Sequence, residues 1–114
     1  MVNKKVYIPD RGDIVWINFN PQKGREQANK RPAVVISPKI YNEKTGLALM
    51  CPVSSQVKEY PFEVIFQEEK VKGVVLCDHL KSLDYEARKI SFIQKLKSLK
   101  MKEIQEKIII LIKE

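Results

Sequence analysis

A chain of 114 residues, 44% hydrophobic and 31% charged, has the balance of one folded domain over residues 1–114 rather than of a disordered segment. No stretch approaches the roughly 18–20 uncharged apolar residues that cross a bilayer. The start, Met1-Val2-Asn3-Lys4-Lys5, has no apolar run behind its lysines, so a cytoplasmic protein is expected. The formal charge is +7, unevenly placed: residues 1–31 carry seven basic side chains against three acidic, residues 32–88 seven against eight, and residues 89–114 seven against three. That distribution suits a polyanionic partner, either a nucleic acid or an acidic protein.

Ile14-Val15-Trp16-Ile17-Asn18-Phe19 is rich in β-branched and aromatic residues between Gly12-Asp13 and Asn20-Pro21, and reads as a strand. Trp16 and Phe19 are expected in the core. Residues 20–30 form a polar loop with Pro21, Gly24 and Asn29. Ala33-Val34-Val35-Ile36 is a short apolar run near prolines on both sides, as in a buried strand. Tyr41–Gly46 gives a turn or short helix, and Leu47–Val53 the next strand. Phe62–Phe66 turns Glu63 outward between apolar neighbours, Gly73–Cys77 adds a strand, and Lys89–Ile93 another. Met101, Ile104, Ile108, Leu111 and Ile112 recur at steps of three and four, so one apolar helical face is expected there. Many short strands and one terminal helix predict a mainly β fold, a small barrel closed by a helix.

Several chemistries lack their residues. The chain has no Walker-type phosphate loop and no Gly-x-Ser-x-Gly elbow. With His79 as its one histidine, it has no histidine pair for acid–base exchange and too few ligands for zinc. Cys51 and Cys77 each sit in an apolar run and read as buried small side chains, not a disulfide or a redox pair. Carboxylates, arginines and hydroxyls remain.

Three segments carry such groups: Pro9-Asp10-Arg11-Gly12-Asp13-Ile14-Val15-Trp16; the run from Gly24-Arg25-Glu26-Gln27-Ala28-Asn29-Lys30-Arg31-Pro32 to Ala33-Val34-Val35-Ile36-Ser37-Pro38; and Pro52-Val53-Ser54-Ser55-Gln56 with Tyr60-Pro61-Phe62-Glu63-Val64. Together they resemble the MazF-like (MazF/PemK) toxins of bacterial toxin–antitoxin systems, in order along nearly the whole chain. The loop Glu26–Pro32 is the most specific part. The C-terminal stretch matches loosely, and its lysine-rich segment Lys95–Lys102 is peculiar to this chain.

The resemblance implies an SH3-like β-barrel, a homodimer, and metal-independent, sequence-specific cleavage of single-stranded RNA. It implies also a cognate antitoxin of MazE type with an acidic, disordered C-terminal segment, and no cofactor. The family's reactive arginine falls on Arg31, its loop carboxylate on Glu26 and its reactive threonine on Ser54. Serine keeps the hydroxyl but lacks the methyl that restricts the rotamer. In one branch an arginine stands two residues before the aspartate matching Asp78; here that position is Leu76, so Asp78 reads as structural.

Elementary chemistry suits these roles. RNA carries its own nucleophile, the 2′-hydroxyl, which Glu26 can deprotonate. Arg31 presents a charged planar fork to phosphate oxygens, and Ser54 can donate to the same phosphate. Arg25, Gln27, Lys30, Ser55, Gln56 and His79 are candidate RNA contacts. Simpler readings stand beside these: an Arg31–Glu26 surface ion pair, Ser54 as a strand-end hydroxyl, His79 as structural, and Lys23, Arg25 and Lys30 as solvated loop charges. Two other functions compete, a non-enzymatic gyrase-binding toxin resembling CcdB and a barrel that binds RNA without cutting it.

Overall fold

The computed structural model describes residues 6–19 and 30–113. Among these residues, seven strands and two helices follow one another: β1 (Asp13–Asn18), β2 (Lys30–Val35), α1 (Lys39–Thr45), β3 (Leu47–Ser54), β4 (Glu63–Gln67), β5 (Lys72–Leu76), a 3-10 turn (Cys77–His79), β6 (Lys81–Asp84), β7 (Ser91–Lys95) and α2 (Ser98–Ile112). The strands pair antiparallel in the order β4-β5-β3-β2-β1-β7, with β6 also on β3. The sheet curls into a half-barrel with α2 packed at its side, the mainly β fold expected from the sequence. The β4–β5 turn is bridged to the other edge by two backbone-to-side-chain hydrogen bonds. The backbone N–H of Lys70 donates to Gln94 Oε1 on β7 at 2.8 Å, and that of Lys97 to Glu68 Oε2 at 2.9 Å.

Because side chains alternate along a strand, each central strand feeds two cores. One face gathers Ile14, Val34, Cys51, Val53, Val64, Phe66, Val75 and Cys77, and α2 closes it with Met101, Ile104 and Ile108. The other gathers Val15, Ile17, Ala33, Val35, Ala48, Met50, Leu83 and Tyr85, with Phe19 packed at its margin. Burying one such Val, Leu or Ile contributes about 1.5–3 kcal/mol before the entropy of ordering is set against it. Cys51 and Cys77 are fully buried free thiols, as expected.

Asn42 on α1 is a buried polar hub. Its Nδ2 donates to the carbonyls of Pro9 and Ser37 at 2.8 and 3.1 Å, and its Oδ1 accepts from the Ser37 hydroxyl. Its own carbonyl accepts from the Tyr85 hydroxyl at 2.9 Å. The helix stops at Gly46, whose φ of 74° is the left-handed conformation a C-terminal cap requires.

Three expectations are corrected. Trp16 is 42% exposed, because it lies on the Ile14 face of β1 but beyond the cluster that α2 closes. Leu111 and Ile112 are also exposed; α2 continues its periodicity past the edge of the core, so only Met101, Ile104 and Ile108 reach it. The strand β6 was missed, since Lys81-Ser82-Leu83-Asp84 buries only Leu83 and alternates too weakly to register.

Candidate active site

Arg31 sits near the start of β2, opposite Ile17 of β1. The β2–β3 register pairs Ala33 with Pro52 and Val34 with Cys51. Extending it by two residues sets Arg31 across from Ser54, on the same face of the sheet. That face is apolar at Val15, Ile17, Ala33, Val35 and Met50 and turns polar at its upper end. The site is therefore the continuation of a core face, with the apolar residues replaced by a guanidinium and a hydroxyl.

An open groove of about 470 Å³ runs over this end, lined by Phe19, Arg31, Ser54, Ser55, Gln56, Leu76, His79 and Lys81 together with Pro52 and Val53. Sequence positions 31, 54–56 and 79 are far apart along the chain, and the fold brings all five of these candidates to one surface. Lys30, one residue before Arg31, points to the other face of β2 and does not line the groove. Glu26, Arg25 and Gln27 lie outside the described residues.

Ser54 holds its place through two local features. Its Oγ accepts the backbone N–H of Gln56 at 3.0 Å, which uses a lone pair and leaves the hydroxyl hydrogen to donate elsewhere. Behind it, Gly73 of β5 comes so close that a Cβ there would stand 2.7 Å from the Ser54 carbonyl oxygen and 2.7 Å from a Val53 methyl. Only glycine permits this approach.

Lys81 was given no role from sequence. Lys81 holds its ammonium 5.5 Å from the centroid of the Phe19 ring, a cation–π contact. Phe19 thereby serves as a wall of the groove as well as a margin of the core. Lys81 is the first residue of β6, and the missed strand is why it was missed.

Beside the groove, the Tyr60 hydroxyl donates to Asp78 Oδ1 at 2.5 Å. The carboxylate as acceptor, with Coulombic repulsion by Asp78 and Glu63 adding to it, pushes the Tyr60 phenol up to about 12. His79 Nε2 stands 3.9 Å from the same Oδ1. Asp78 thus ties the loop after β3 to the 3-10 turn. Among the described residues no group of three His, Cys, Asp or Glu is placed to hold a metal ion. None of their helices is long and apolar enough to cross a membrane.

Residues 10–112 match a family model described as the PemK-like, MazF-like toxin of type II toxin–antitoxin systems. The chain is 51% identical over 82 residues to the endoribonuclease toxin MazF of Escherichia coli K12, covering 72% of this chain and 74% of that protein. Among solved structures, MazF (Form-I) from Deinococcus radiodurans superposes with a TM-score of 0.83 at 44% identity, over 94% of this chain and 98% of that one. A MazE–MazF structure (Form-II) from the same organism gives 0.84 at 39% identity, over 95% and 98%.

Proposed function

The chain belongs to the PemK-like, MazF-like toxins of type II toxin–antitoxin systems, and from that premise we propose that its groove cuts single-stranded RNA at a short sequence motif, without metal. The observation that supports this reading most is the arrival of Arg31 and Ser54 on one sheet face at the mouth of the groove.

In this reading Glu26 takes the proton of the 2′-hydroxyl, and the 2′-oxygen attacks the adjacent phosphorus. Charge then develops on the phosphorane oxygens. Arg31 meets it with a fixed cation and paired N–H donors, while Ser54 donates its free hydroxyl hydrogen. Departure of the 5′-oxygen leaves a 2′,3′-cyclic phosphate and a 5′-hydroxyl. Lys81, Gln56 and Ser55 line the path of the flanking nucleotides, and Phe19 offers a face for a base. Family membership leaves the gyrase-binding alternative without support.

The protein acts in the cytoplasm as a homodimer. Ile109, Ile110, Leu111 and Ile112 are 47–78% exposed at the end of α2, an apolar patch that a second subunit would cover. Its cognate antitoxin is of MazE type and closes the groove with an acidic segment that folds on binding. The experiment is incubation of the pure protein with mixed RNAs in EDTA, followed by mapping of the ends. Cutting with cyclic-phosphate ends is expected. A substrate with 2′-deoxy sugar at the scissile nucleotide should stay whole, and its cleavage would remove the mechanism.

A further inference from the structure

Glu26, Arg31 and Ser54 account for the 2′-oxygen and the phosphorane, but they leave the departing 5′-oxygen without a source of a proton. We propose that His79 is that source, a general acid whose imidazolium is positioned by Asp78. The inference rests on the ribonuclease reading above and adds a residue to it.

An alkoxide is a poor leaving group near neutral pH, so a positioned acid lowers the barrier to breaking the P–O5′ bond. That acid must face the groove, be reachable by the phosphodiester, and exchange a proton in the neutral range. The walls offer few choices. As chemical groups, guanidinium, ammonium and the serine hydroxyl are all weaker acids than an imidazolium. Imidazole is the side chain suited to the task.

The geometry agrees. His79 ends the 3-10 turn, lines the groove with Arg31 and Ser54, and has a half-exposed side chain. Its Nε2 is at ion-pair distance, 3.9 Å, from Asp78 Oδ1, which leaves Nδ1 for the substrate. Asp78 is itself held by the Tyr60 hydroxyl. Tyr60 and His79 therefore converge on one oxygen of Asp78, its Oδ1. Among the described residues, the charges around the turn include Arg31 from β2 and Lys81 from β6, Glu63 from β4, and Glu103 and Lys107 from α2. Lys107 is engaged with the Pro61 carbonyl at 2.6 Å.

The step balances. The 2′-oxygen, its proton removed to Glu26, forms the new P–O bond; the P–O5′ bond breaks, its electron pair goes to O5′, and the imidazolium proton follows it. His79 is left neutral and regains a proton from water.

The test uses two RNAs that differ in one atom, the 5′-bridging oxygen or a sulfur in its place. A thiolate leaves without a proton. His79→Gln should slow the oxygen substrate by about 10²–10⁴-fold while cutting the sulfur substrate within a few-fold of the wild type. It should also lose the alkaline limb of the pH–rate profile. Asp78→Asn, by releasing the imidazole from its place, should slow the oxygen substrate more than the sulfur substrate. Equal slowing of both substrates, or of neither, would overturn the proton-donor role while the wild-type rates still uphold the ribonuclease. A wild-type chain that cuts neither substrate removes both.

Discussion

The two faces of the central strands use the same backbone for opposite ends. On the α2 side, Ile14, Val34, Cys51, Val53 and Val75 are capped by Met101, Ile104 and Ile108, and the face is shut. On the other side, Val15, Ile17, Ala33, Val35 and Met50 are packed alike, yet the face runs on into Arg31, Ser54 and Lys81, and neither helix contributes to the groove's walls. Polar groups can stand at that end because water still reaches them; buried without partners, the same groups would each cost about 1–3 kcal/mol. The α2 side is core from end to end, and the other side passes from core into the proposed site, one residue apart along each strand.

Mutations can break that division or sharpen it. Arg31→Ala should leave folding intact and lower kcat/KM by the equivalent of about 3–4 kcal/mol, since the phosphorane loses its fixed counter-ion. Ser54→Ala should lose less, and Ser54→Thr should retain or raise activity. Cleavage by Arg31→Ala at the parental rate would move the site elsewhere. Ile104→Ala is the mirror case. Removing a fully buried side chain should destabilise the fold by about 2–5 kcal/mol in urea titration, with kcat unchanged well below the transition.

Gly73→Ala tests where the two faces meet. The added methyl collides with the Ser54 carbonyl and a Val53 methyl, so a loss of about 1–3 kcal/mol of stability should come together with lower activity. Loss of stability alone would mean that Ser54 is not positioned from behind. The smallest effect belongs to Tyr60. Its phenol is raised by the Asp78 hydrogen bond, so this contact supports the fold below the free phenol's titration and fades as pH rises through about 12. Spectroscopic titration of Asp78→Asn should show one tyrosine ionising at lower pH than in the parent.

Much of this was legible from residues alone, for reasons that are local. β1, β2 and β3 carry strong β-branched runs, and Met101, Ile104 and Ile108 keep a clean helical period. Arg31 and Ser54 were put forward by resemblance alone; nothing in their spacing shows that β2 and β3 lie side by side in a register that makes them neighbours. Trp16 misled because a large aromatic in an apolar run is usually core, whereas it lies outside the cluster that α2 closes. Lys81 and the cation–π contact with Phe19 depend on a strand with one buried residue, a signal too faint for any periodicity to carry. The Tyr60–Asp78–His79 chain is a tertiary arrangement, and of its members only Asp78 and His79 are adjacent in sequence.

The two thiols beneath α2 give this molecule a built-in clock. Burial pushes the Cys77 thiol up to about 11 and Cys51 further still, and both side chains are sealed from solvent. Alkylation requires a thiolate that a reagent can reach, so in the native protein neither should label. Each labelling event would then report a moment at which α2 had lifted from the sheet. At low reagent the rate would give the free energy of that opening, and at high reagent its speed. The groove lies on the other face, so the same measurement with a bound oligonucleotide would show whether occupying the front of the sheet holds its back closed.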